Sequence, residues 1–333
     1  MLDKDISDRR AVSYKLQQLK SLNCDEIDLL QKAFDEHQHV FSIGTLRIYV
    51  AAILKFDAYC QLFEYKLLPA SEDAVITYIL SLVGQGRGTT TVVQATSSIR
   101  FFHEIIEEVS PLNSRKVRTA IRYARKPRQS KRIATPIMPK ESATRFSGIA
   151  VEPILDGPAK TIFDLRSRAM ISIGVDTGLK GRDLMNVRMK DLDLSEGRAH
   201  LSYRAADTSL VDPCVWYHLT PHTVNILLNW LTASNLDPKL SSGDTPIFTS
   251  ITRWGTLGKK PISVRTLNTQ IRAYVDNLLP SEPNDFVITA QSLRAGRVLH
   301  LLHQGIAATE VQKVMHMRSL VSVVRYIEDY PPL

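Results

Sequence analysis

Cysteine is scarce in this 333-residue chain: Cys24, Cys60 and Cys214 are the only three, widely spaced and odd in number. Neither a disulfide framework nor a CxxC metal site is indicated. Long apolar runs are missing too. No stretch reaches the roughly 18 to 20 residues that a bilayer span needs, and the opening MLDKDISDRR is too polar for a secretory signal. These absences point to a cytoplasmic protein with reduced thiols. Internal repeats and low-complexity segments are also absent, and 44% apolar with 23% charged residues is an ordinary folded composition without a disorder signature. A chain of this length is expected to form about two domains, each large enough to bury its own core.

Acidic residues vanish over one stretch. None occurs from Val109 to Lys140, whereas Arg115, Lys116, Arg118, Arg122, Arg125, Lys126, Arg128, Lys131 and Arg132 crowd into it, in a chain of formal net charge +8. A cationic surface gains affinity for a polyanion by releasing counterions from its phosphates, so these residues are candidate DNA contacts. The first half, SRKVRTAIRYARK, has helical spacing: Val117, Ile121 and Ala124 share one face, which leaves Arg115, Arg118, Arg122 and Arg125 on the other. The second half, PRQSKRIATPIMP, carries three prolines and no apolar period, so it reads as an extended linker. The resulting division is a helical domain over 1–125, a basic linker over 126–140 and a second domain over 141–333. A solvated helix face followed by a tether would look the same.

Upstream of the linker the periodicity is helical throughout. Helices are expected at 8–20, at 25–37, from Ser42 or Thr45 through Leu46, Tyr49, Ile53, Phe56 and Tyr59, at 71–83 and at 89–107, with GQGRG at 84–88 as a break. The second domain is mixed. Helices are expected at 161–175, 180–188, 221–233, 264–278, 292–304, 307–315 and 319–329, and the Glu-Gly and Asp-Pro turn signals after Asp191 predict a small antiparallel sheet. The fold class is therefore mainly α, with a small antiparallel β-sheet in the second domain.

Three segments then occur in a telling order: DTGLKGRDLMNVRMKDLDL at 176–194, TAQSLRAGRVLHLLHQGIAATEVQKVMHM at 289–317, and a tail containing RYIED. Together they resemble the tyrosine recombinase superfamily, the phage-integrase-like enzymes of mobile genetic elements. The first is similar to that family's TGLR motif, with Asp183 three positions on; the second is similar to its HxLR box; and Met317 to Tyr326 matches its spacing between a His or Trp and the nucleophile. TLRIYVAAILKFDAYCQ, the LPAS at 68–71 and SSIRFFHEI resemble the family's helical, SAM-like core-binding domain, so the likeness begins near residue 42.

The resemblance implies cleavage and rejoining of double-stranded DNA through a 3′-phosphotyrosyl link at Tyr326, with no metal, nucleotide or other cofactor, by four protomers, identical or mixed, on two DNA sites. Attack on a phosphodiester loads charge onto its nonbridging oxygens, so fixed cations must face them, and arginine's planar fork suits two oxygens at once. A general acid must protonate the departing 5′ oxygen. Arg294 and Tyr326 stand at matching positions, while Lys180 replaces the first arginine and loses the fork. Gln291 replaces the histidine of HxLR and cannot donate a proton as an acid. Ungapped counting puts Met317 at the second His or Trp position, with His316 adjacent if the turn shifts by one. No lysine lies between Asp191 and Pro238, which leaves Arg204 as a poor stand-in for the leaving-group acid. The tail IEDYPPL is too short for the extra helix by which many relatives dock onto a neighbour.

The bland readings stay open beside these. Tyr326, among Val323, Val324 and Ile327, fits a packing residue; Arg294 fits an ordinary surface arginine; and His300 and His303 fit a helix face. Three functions compete: a recombinase or integrase, a DNA-binding protein on that scaffold whose catalytic centre has decayed and which serves as partner subunit or regulator, and a helix-turn-helix regulator built on HLLHQGIAATEVQKVMHM with Gly305 in the turn.

Overall fold

A computed structural model describes residues 2–126, 133–194, 200–204, 214–236, 241–279 and 287–333. Its chain divides into two compact units, Met1–Lys131 and Arg132–Leu333.

The first unit is helical: α1 (Leu2–Ser13), α2 (Cys24–His37), α3 (Ile43–Leu62), α4 (Glu72–Gly84), α5 (Thr89–Ile105) and α6 (Arg115–Ala124). Local chemistry sets the ends. Asn23 forms a capping box with Glu26, and the Ser42 and Ser71 hydroxyls accept from the backbone N–H of Thr45 and Ala74. Leu46, Ile53, Phe56, Val75, Ile79, Val92, Ile99 and Phe102 are at most 1% exposed, each contributing about 1.5–3 kcal/mol by leaving water. The first helix differs from the expected 8–20: it starts at Leu2 and ends at Ser13, and a 3-10 turn, Tyr14–Gln18, follows. Asp57 explains the early stop, because its carboxylate accepts from the backbone N–H of Lys20 and Ser21 and draws that turn onto α3.

In the second unit β1 (Ile137–Met138) pairs in parallel with β2 (Ile149–Ala150) across α7 (Lys140–Arg145). Next come α8 (Glu152–Asp156), α9 (Ile162–Thr177), α10 (Gly181–Met185), and the antiparallel sheet β3 (Leu192–Asp193), β4 (His200–Arg204), β5 (Cys214–His218). Then follow α11 (Pro221–Ala233), the hairpin β6 (Thr249–Ile251) with β7 (Leu257–Pro261), α12 (Val264–Leu278), α13 (Ala290–His303), α14 (Ala308–Val314) and α15 (Leu320–Asp329). The buried residues Ala169, Met170 and Ile173 of α9 form the centre of the core, packed in one cluster with Trp230, Leu267 and Leu293.

Three further outcomes differ from the sequence reading. Residues 133–140 are no free tether, because Ile137 and Met138 are fully buried and pair with Ile149 and Ala150. The helix expected over 180–188 stops at Met185, since the Val187 carbonyl accepts from Ile247 N–H and Arg188 bridges to Pro246 in extended backbone. The β6–β7 hairpin and the parallel β1–β2 pair had no counterpart in the expected antiparallel sheet, which is β3-β4-β5.

Candidate active site

Helix α13 is the spine of the candidate site. Thr289 caps it by accepting from Gln291 N–H, and the Asn268 side chain accepts from Ala290 N–H at 2.9 Å. Gly296 lets the helix lie directly on β1: a Cβ there would come within 1.8 Å of the Ile137 carbonyl oxygen. Gln291, Arg294 and Arg297 recur at three-residue spacing, so each neighbours the next along the helix surface.

Arg294 is 7% exposed, and no carboxylate pairs with it among the described ion pairs. Backbone dipoles hold it instead. Its Nη1 donates to the Gly178 carbonyl at 2.6 Å and its Nη2 to the Met315 carbonyl at 2.7 Å. These bonds tie the end of α9 and the turn after α14 to one guanidinium, which has more donors than the two bonds use. Gly178 makes the junction possible: its φ is +62°, and a Cβ would meet Met315 Cε at 2.5 Å and Arg297 Cβ at 3.0 Å.

Tyr326 is half-buried, and its hydroxyl accepts from Gln291 Nε2 at 2.6 Å. The ring lies against two small apolar clusters, while the oxygen ends on a polar amide rather than in apolar packing. Tyr330, the residue just after α15, shows the opposite arrangement. It stacks on Tyr326 with centroids 6.4 Å apart, is 9% exposed, and donates to the Ala134 carbonyl at 2.6 Å; burial pushes its phenol well above the ordinary range.

The turn between α14 and α15 presents His316 rather than Met317. His316 adopts φ +47°, and its ring meets Tyr217 edge-on at 6.3 Å. Its Nε2 is buried with no hydrogen-bond partner among the described residues. Burial, then the nearby Arg294 charge, lowers its pKa below the usual 6.5, so the imidazole is neutral near pH 7. Met317 packs instead beside Val298, Leu301 and Val311.

Lys180 is exposed at the N-cap of α10, two residues past the carbonyl that Arg294 grips. Its neighbour Gly181 touches the start of α13: a Cβ there would lie 2.8 Å from Ala290 Cβ, one residue before Gln291. Asp183 is half-buried, and its charge acts on Tyr217. Arg204 ends β4 opposite Cys214, and its side chain lies outside the described residues. His300 turns away, its Nδ1 2.9 Å from the Ser142 hydroxyl.

Two residues were missed in the sequence. Arg297 sits one turn beyond Arg294, its pKa lowered by burial; the i, i+3 spacing was the available signal. Tyr217 is 8% exposed on the inner face of the β-sheet, and burial pushes its phenol up to about 12 despite the nearby Arg294. Alternation with Leu219 could have placed it inward.

A second cationic region lies in the first unit. Arg115, Lys116, Arg118, Arg122, Arg125 and Lys126 are all exposed around α6, with Val117 and Ala124 buried beneath them. Arg100 of α5 joins Arg118, Arg122, Arg125 and Lys126 along one groove. Arg128, Lys131 and Arg132 lie outside the described residues. Among the described residues no group of three or more His, Cys, Asp or Glu could hold a metal ion, and no helix is long and apolar enough to cross a membrane.

Residues 145–331, more than half of the chain, match the phage integrase family. The tyrosine recombinase XerD of Halalkalibacterium halodurans is 26% identical over 129 residues, a match that spans 38% of each chain. Among solved structures, the XerH site-specific recombinase bound to palindromic difH substrate superposes with a TM-score of 0.63 at 15% identity, over 97% of this chain and 92% of that one. The Tn1549 transposon integrase in complex with circular intermediate DNA gives 0.58 at 14% identity, over 90% and 94%. A lambda integrase dimer bound to a COC′ core site gives 0.55 at 13% identity, over 90% and 95%. At these identities the likeness to the solved structures is one of fold.

Proposed function

Because this chain belongs to the phage integrase family, we propose that it is a site-specific recombinase that cleaves and rejoins duplex DNA through Tyr326. The phenol oxygen gives its proton to water and attacks the phosphorus, a 3′-phosphotyrosyl ester forms, and the bond to the 5′ oxygen breaks as that oxygen takes a proton from water; rejoining runs the same steps backwards. The observation that carries this reading is the 2.6 Å bond from Gln291 to the Tyr326 hydroxyl, one helical turn from Arg294. An amide that donates to the phenol oxygen favours the charge this oxygen gains as its proton departs.

The other groups take roles by their chemistry. Arg294 is held in place before the DNA arrives, so meeting the phosphate's developing charge needs little reorganisation. Lys180 adds a point charge without a fork. His316, neutral near pH 7, supplies a hydrogen-bonding nitrogen to a phosphate oxygen rather than a proton to the leaving group. Asp183 steadies the neighbourhood of Tyr217. The exposed cations of α6 bind the duplex backbone without reading its sequence. Exchange between two sites would engage four copies, identical or mixed.

One observation favours a second reading, that of a partner subunit or regulator that binds DNA without cutting it. Lys180 and Gln291 stand where the family motifs have arginine and histidine. A pool of nicked suicide duplexes with randomised flanks separates the two. A covalent adduct that survives denaturation, disappears in Tyr326→Phe and persists in Tyr330→Phe supports cleavage. Binding with no adduct supports the second reading.

A further inference from the structure

The β6–β7 hairpin carries charge that the candidate site does not use. No acidic residue occurs from Thr245 to Val275, while Arg253, Lys259 and Lys260 are all exposed there. Lys259 and Lys260 are consecutive on β7, so they leave opposite faces of the ribbon. At the tip Trp254 is 78% exposed, with the Arg253 guanidinium 4.6 Å from the ring centroid. A large indole held in water beside a guanidinium, in a stretch of chain without acids, has the character of a polyanion contact rather than of a core residue.

The tip is also ordered in advance. Thr252 Oγ1 accepts from Trp254 N–H at 3.3 Å and from Thr256 N–H at 3.1 Å, and Thr252 N–H donates to the Thr256 carbonyl at 2.8 Å. Gly255 supplies the positive φ, +80°, that closes the turn. The root is fixed by Arg166, 1% exposed, which donates to the Thr249 carbonyl, and by the bond from Ile262 N–H to the Phe248 carbonyl at 3.1 Å. From there the chain enters α12, where Val264 and Leu267 lie against Gly181, next to Lys180. The ribbon therefore leaves the core beside the loop that bears Lys180.

We propose that this hairpin is a separate duplex grip: Arg253, Lys259 and Lys260 take phosphates flanking the cleavage point, and Trp254 packs along the groove edge of the same duplex. A two-stranded ribbon is of a size that the major groove admits. The inference rests on the reading of this protein as one that acts on DNA, and it adds affinity rather than chemistry.

Binding of the full chain to a labelled duplex pool, followed by fluorescence anisotropy across a salt series, tests it. Lys259→Ala with Lys260→Ala is expected to reduce the slope of log affinity against log salt by about 0.9 per lysine. Trp254→Ala is expected to weaken binding on the order of tenfold, the worth of part of an indole face leaving water, while leaving that slope in place. All three side chains are exposed, so thermal melting should match the unaltered protein and separate lost contacts from lost fold. Slopes and affinities equal to the unaltered protein overturn the inference. If the unaltered protein binds duplex but forms no adduct, cleavage falls and the grip stands; if it binds no duplex at all, both fall.

Discussion

Helices α6 and α13 both carry arginine at helical spacing, yet they hold it in opposite ways. On α6 every cation is exposed above a buried Val117 and Ala124. On α13 Arg294 is drawn into the unit and held by the Gly178 and Met315 carbonyls. Exposed charges cost little to keep and act additively on a distant backbone, so they set affinity and its salt dependence. A buried charge must be stabilised by fixed dipoles, which also fix its direction, so it suits a single phosphate. On the proposed reading of this protein, the two helices divide binding from chemistry.

The sharpest way to break that division is Arg294→Ala. The rate of adduct formation in single turnover is expected to fall about 10²–10³-fold, as for loss of one preorganised donor group, with duplex affinity little changed. The variant also leaves two buried carbonyls unpaired, at about 1–3 kcal/mol, so a lower Tm accompanies it. Arg294→Lys separates the effects by restoring charge without the fork. If saturating protein with α6 neutralised loses as much rate, the division is wrong.

Much of this arrangement was legible before any coordinates, for unequal reasons. The row on α6 shows in the sequence because Val117, Ile121 and Ala124 keep helical period on one face while Arg115, Arg118, Arg122 and Arg125 keep it on the other. Arg294 and Tyr326 needed a motif, since neither looks unusual by composition. His316 was ambiguous because counting along the chain cannot see a left-handed residue; its φ of +47° turns the histidine toward Arg294 and leaves Met317 in the apolar cluster. The β6–β7 hairpin escaped because its β7 strand, Leu257–Pro261, holds a glycine, two lysines and a proline, a poor strand composition overridden by the anchor at Arg166.

Lys180→Arg sharpens the comparison from the other side. Adding a second fork beside the first is expected to raise the adduct rate on the order of tenfold, the worth of one further charge-assisted hydrogen bond. A rate unchanged or lowered, read in the same single-turnover assay, places Lys180 outside the phosphate's reach. The α6 counterpart is smaller and of another kind. Arg118→Ala with Arg122→Ala is expected to lower the salt slope of binding by about 0.9 per arginine and to leave the adduct rate at saturating protein intact.

Histidine extends the contrast to the interiors of the two units. In the first, His103 is fully buried with both nitrogens engaged: Nδ1 donates to the Ile99 carbonyl at 2.7 Å, and Nε2 accepts from Ala70 N–H at 2.9 Å. In the second, His316 keeps a buried Nε2 without a hydrogen-bond partner among the described residues. A satisfied imidazole is there for stability and an unsatisfied one is available to a ligand, so only the first should answer to pH chiefly through folding. Burial lowers the His103 pKa below 6.5, opposed in part by the Ile99 carbonyl and Glu108. Above pH 6.5 both folded and unfolded states are neutral at this residue and its contribution is complete. Below it the unfolded chain takes up the proton first, so stability falls as pH drops toward the folded pKa, at up to about 1.4 kcal/mol per pH unit. Urea melts of the full chain between pH 7.5 and 5 should show this slope, reduced in His103→Gln, whose amide can keep one donor and one acceptor but cannot titrate. A slope in that variant as steep as in the unaltered chain would assign the acid sensitivity to His300 and His316, whose pKa values are lowered as well, and would remove the distinction between the two interiors.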